Sequence, residues 1–129
     1  MNIIDLRNAF ITFINTENID IENYETIPVL FTNADSAEAT NAALNVKIFP
    51  IEEAEVEIIP SETPINLKDI IAEIDRDVLM MTGAESIEAL NDDQYEILRA
   101  CNLNKDYTIN FYKIISAAGS ITNFVMINE

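Results

Sequence analysis

From Ala54 to Ile58, apolar and acidic residues alternate without a break. Ala54, Val56 and Ile58 fall on one side, and Glu53, Glu55 and Glu57 fall on the other. Successive side chains of a β-strand point to opposite faces, so this period of two describes a strand with one face on a core and one in water. Sheets with one solvated face are characteristically antiparallel. The run LNVKIF, residues 44–49, alternates in the same way, with Leu44, Val46 and Ile48 opposed to Asn45, Lys47 and Phe49. PIEE, residues 50–53, is the turn or bulge expected between the two strands, and Pro60 with Pro64 is expected to end the second one. IPVLFT, residues 27–32, reads as a buried strand that begins at Pro28, where a missing N–H is tolerated. NADSAEATNAA, residues 33–43, reads as a long turn or mobile loop, and NTENIDIENYET, residues 15–26, as a loop with a short strand at Ile19 to Ile21.

Helical spacing appears elsewhere. IIDLRNAFITFI, residues 3–14, places Ile3, Leu6, Phe10, Phe13 and Ile14 on one stripe, with Asn2 as N-cap and Asp5 three residues on. Its β-branched content makes it a helix by packing rather than by propensity. In PINLKDII, Asn66 suits the N-cap, Asp69 sits at the third helical position, and Ile65 can staple to Ile70. That helix continues through Ile74, Val78 and Leu79 to Gly83, a natural C-cap. SIEAL, residues 86–90, adds a helical turn, and Asn91 with Gln94 opens a further short helix. The chain then turns strand-like. YTINFYKII and ITNFVMI flank AAGS, residues 117–120, as a C-terminal β-hairpin. The expected fold is a single α+β domain over residues 1–129, its mostly antiparallel sheet packed against an N-terminal and a central helix.

A chain of 129 residues that is 49% hydrophobic can bury about two-thirds of its unfolded surface, so the net charge of −16 does not imply disorder. It does restrict partners. A surface this acidic repels phosphates and anionic membranes, so neither direct nucleic-acid binding nor membrane binding is expected. The seven cations are scattered singly. The N-terminal residues lack the features of a signal peptide, with Asp5 and Arg7 breaking the apolar run, and secretion by that route is not expected. One cysteine, Cys101, allows no intramolecular disulfide and reads as a buried core thiol.

Catalytic groups are scarce. Without histidine there is no Ser-His-Asp or Cys-His arrangement, and a structural zinc site lacks its ligands. Two distant glycines make no phosphate loop. Glu52, Glu53, Glu55 and Glu57 could in principle hold Mg²⁺ or Ca²⁺, as could Asp92 and Asp93. Along one strand face, however, Glu55 and Glu57 stand about 6.6 Å apart, too splayed to grip one ion unaided. NADSAEATN lacks the glycine and the closing glutamate of an EF-hand loop. No cofactor and no enzymatic activity are expected. The glutamates read as a solvated face that keeps a sheet edge from pairing wrongly, and Glu52, Glu53, Glu55 and Glu57 are the candidate acidic interaction face.

The order of elements resembles the tail-terminator (minor tail protein U-like) proteins of long-tailed phages. The resemblance is carried by IIDLRNAFITFI, by IPVLFT with LNVKIF, by INLKDIIAEIDRDVLM, and by YTINFYKII with ITNFVMI. SIEALNDDQYEILRACN, residues 86–102, is more helical than that pattern needs. The resemblance implies a homo-oligomeric ring, usually of six subunits, that ends tail polymerisation and joins tail to head. It places the chain in the virion or the host cytoplasm. An acidic wall would let DNA pass without sticking. The alternative is a small acidic inhibitor, a DNA mimic or anti-defence protein whose carboxylates stand where a basic nucleic-acid-binding protein expects phosphates. An adaptor or immunity-type protein with one protein partner is a third possibility.

Overall fold

The computed structural model of the chain describes residues 1–33, 38–47 and 54–129. Three helices, α1 (Ile3–Thr16), α2 (Leu67–Thr82) and α3 (Asp92–Arg99), accompany one six-stranded sheet. The strands are β1 (Val29–Thr32), β2 (Thr40–Lys47), β3 (Glu55–Ser61), β4 (Asn102–Leu103), β5 (Thr108–Ile115) and β6 (Ile121–Asn128), arranged β4-β3-β2-β1-β6-β5. Three neighbouring pairs are antiparallel, β1–β2, β2–β3 and β5–β6, and two are parallel, β1–β6 and β3–β4. This is the α+β domain, with N-terminal helix, central helix and C-terminal hairpin, that the residue patterns imply.

Local chemistry sets the helix ends. Asn2 Oδ1 accepts from Asp5 N at 2.9 Å while Asn2 N donates to Asp5 Oδ2 at 3.1 Å, a complete capping box. Asn91 and Gln94 repeat the box at α3, with both bonds at 2.9 Å. At α2, Asn66 Oδ1 accepts from Asp69 N at 2.9 Å, and Gly83 closes the helix at φ 71°, where a Cβ is disfavoured.

Packing follows the strand alternation. Val29, Phe31, Ala42, Val56, Ile58, Val125 and Ile127 are buried on one face of the sheet, and the register aligns them across five strands with Ile109 and Phe111 of β5. Ile3, Leu6 and Phe10 of α1 and Ile70, Ile74 and Val78 of α2 complete the same core. Among the described residues, none that is polar or charged is fully buried. Cys101 lies in this core, and burial pushes its thiol up to about 11, so it stays protonated at neutral pH.

Four local expectations change. Ile19 to Ile21 form no strand; a 3₁₀ helix, Ile21–Thr26, follows instead, because α1 runs on to Thr16 and turns back on itself through Ile19 N, which donates to Ile14 O at 3.0 Å. β2 starts at Thr40, so the end of the expected loop is strand; residues 34–37 of it lie outside the described residues. Residues 86–90 make successive turns (Ala89 N to Ser86 O, 3.2 Å; Leu90 N to Ile87 O, 3.3 Å) rather than helix, and Asn102 belongs to β4. Finally, β3 does not stop at Pro60: it continues to Ser61 with Pro60 opposite Ala42. Residues 48–53, which hold the expected turn PIEE, lie outside the described residues.

Candidate interaction surface

The sheet face away from the helices grades from acidic to apolar. On β3 and β2 it carries Glu55, Glu57, Asn45 and Lys47, where Lys47 stands opposite Glu55 and its Nζ reaches Glu57 Oε2 at 2.9 Å. The hydrogen bond and charge of Glu57 hold the Lys47 amine above its ordinary value. Of the four glutamates picked from the sequence, the structure brings Glu55 and Glu57 onto this face, both half-buried; Glu52 and Glu53 lie outside the described residues. No group of three acidic, histidine or cysteine side chains placed to hold a metal ion occurs among the described residues. Asp92 and Asp93 sit in the first turn of α3, where they complement the helix dipole.

A shallow groove of about 360 Å³ separates α2 from the ends of β2 and β3. Its titratable side chains are Asp69, Glu73 and Arg76. Burial raises the Glu73 carboxyl above its usual range, and its Oε2 has no partner among the described residues.

At the far side of the sheet the surface changes character. Residues 107–128 contain no Asp or Glu and one cation, Lys113, the longest stretch of the chain without a side-chain carboxylate. They form the β5–β6 hairpin, closed by Ser116 N donating to Ser120 O at 2.8 Å and by Gly119 at φ 83°. Its root is anchored: the Phe111 ring stacks on Phe13 of α1 with centroids 4.1 Å apart and meets Phe10 edge-on at 6.4 Å. Its tip is not. Tyr112 is 43% exposed, Ile114 53%, Ile115 64% and Ile121 55%, while Tyr112 stacks on Phe124 at 4.9 Å on the face away from the helices. Exposed apolar groups gathered in this way mark contact surfaces.

The two edges of the sheet are also unlike. On the β3 side, β4 covers Glu55 and Val56, Asn104 N donates to Val56 O at 2.9 Å, and Ile58 N donates to the Tyr107 hydroxyl at 3.2 Å. Alternate residues of a strand turn their backbone groups to the same side. Pro60 therefore also faces this edge, with no N–H to offer, which is why the strand tolerates it. That edge is closed to further pairing. On the β5 side, Ser116 and the even-numbered residues bond to β6, so the N–H and C=O groups of Ile109, Phe111, Lys113 and Ile115 turn outward. None of these has a hydrogen-bond partner among the described residues. Of the residues by which natural sheets blunt an edge, β5 itself carries one lysine and no proline.

The residue patterns predict the hairpin but not its exposed apolar surface. The signal that marks it is the absence of carboxylates from residues 107–128 in a chain at −16. No protein-family model, no curated protein and no solved structure matches this chain.

Proposed function

We propose that this chain is a non-enzymatic structural protein that works by associating with copies of itself. Its setting is the one its element order resembles, a ring at the end of a phage tail or at the head–tail junction. The observation that carries this reading is the apolar, carboxylate-free hairpin projecting from a strongly acidic body. Copies that each carry −16 repel one another, and contact is least unfavourable where neither side brings a carboxylate. The remaining acidic surface then faces solvent or passing DNA, which it does not retain.

Mimicry of nucleic acid by an inhibitor of a basic protein is the second reading, favoured by Glu55 and Glu57 on the open sheet face. It ranks lower because Glu57 and Glu25 already have lysine partners, Lys47 at 2.9 Å and Lys68 at 2.7 Å. Light scattering and negative-stain imaging over a range of protein concentrations test the first reading. Closed homo-oligomers are expected; a monomer at every concentration would sink it.

A further inference from the structure

We propose that two copies join edge to edge along β5, the strands antiparallel about a two-fold axis at Tyr112, so that the two sheets become one. This deepens the self-association part of that reading and rests on it; a two-fold contact closes on a pair, so a ring would be assembled from such pairs through a second contact. The usable edge is fixed by exclusion: β4, the Tyr107 hydroxyl and Pro60 close the β3 side, while the backbone groups of four successive outward residues of β5 have no partner among the described residues. A strand of eight residues is about 27 Å long, enough for a continuous ladder.

The occupant is a second β5 because this edge is complementary to itself. With Tyr112 on the axis, outward-facing Ile109 meets Ile115 of the second copy and Phe111 meets Lys113, each twice over. No two lysines face each other, and no carboxylate enters the contact, since residues 107–128 have none. Tyr112 of each copy, already stacked on its own Phe124, meets its twin at a non-hydrogen-bonded position, where opposed side chains lie closest. Shifting the pairing by two residues toward the tip would set Lys113 against Lys113, so charge selects between registers.

Wild-type protein, Lys113→Pro and Lys113→Gln are compared by native mass spectrometry and light scattering. Proline removes an N–H that has no partner among the described residues of the single chain but has one in the pair, whereas glutamine removes only the charge. Expected masses are 14.5 kDa doubled, or a further even multiple, for wild type and Lys113→Gln. Lys113→Pro is expected to be monomeric, or split to half the wild-type mass, with an unchanged circular dichroism spectrum. Should Lys113→Pro unfold, Ile115→Glu at the exposed tip replaces it with the same expectation.

Register is read separately by oxidising Tyr112→Cys and Ile114→Cys proteins. Cα atoms of residue 112 in the two copies stand about 4.5 Å apart, within disulfide reach, and those of residue 114 about 14 Å apart. A cross-link at 112 and none at 114 is expected; none at 112 overturns this register. A wild-type oligomer untouched by the edge variants, or one with an odd number of copies, overturns the edge contact while self-association stands. A wild-type monomer overturns both.

Discussion

Glu73 shows how one side chain links packing to pH. It lies beside the groove on α2 with Oε2 buried and without a partner among the described residues, and burial raises its carboxyl, opposed in part by the Arg76 charge. A raised value means that the folded chain holds this proton more tightly than the unfolded chain does. Ionised Glu73 therefore costs stability near neutral pH. The cost fades as pH falls through the folded value, and it is gone below the ordinary value of 4.5. Glu73→Gln is accordingly expected to melt higher than wild type near pH 7, and the gap should close near pH 3.5, a point below both values. A gap of constant size across that range would assign the effect to packing instead. Cys101 is the opposite kind of residue: its thiol, pushed up to about 11, is inert at neutral pH, as its place in the core implies.

At the level of elements, the cap at Asn66 does local work with a measurable size. It bonds Asp69 N at the entry to α2, and Asn66→Ala is expected to lower unfolding stability by about 1 kcal/mol in denaturant titration. No change would mean that water replaces the cap without loss. Caps of this sort are legible from the residues because partner and cap lie three positions apart. The same holds for the alternation of Ala54, Val56 and Ile58 with Glu55 and Glu57, since a strand's period is local. What could not be read depends on distant residues. Asn102 and Leu103 are strand only because Glu55 and Val56 stand beside them, and Pro60 fits β3 only because its nitrogen faces an unpaired edge. The hairpin itself was legible, but its exposed tip was not: which part of β5 remains bare depends on where Phe10 and Phe13 of α1 come to rest.

For the whole molecule, charge decides the sign of the salt response. Adding salt shortens the range of repulsion between acidic bodies, from about 30 Å at 0.01 M to about 3 Å at 1 M. If copies meet through an uncharged hairpin, salt should strengthen their association, and the monomer fraction in sedimentation should fall as NaCl rises. A phosphate mimic holding a basic partner would respond in the other direction, because there the contact itself is charged. Among the described residues, no helix is long and apolar enough to cross a membrane, and Met80 is the most exposed large hydrophobic side chain away from the hairpin and the N-terminus.

The place of β6 in the sheet has a consequence for how the chain comes into being on the ribosome. β6 is the last strand in chain order, yet it sits between β1 and β5, and Thr32 meets Asn128 across 96 residues. Until residues 121–128 emerge, β1 has β2 on one flank and nothing on the other, and the two halves of the sheet cannot join. At ordinary elongation rates, that wait is roughly 5–20 s. Pairing at such separation is slow to form, so the nascent chain carries a bare inner strand as well as its bare outer one until translation has passed residue 128.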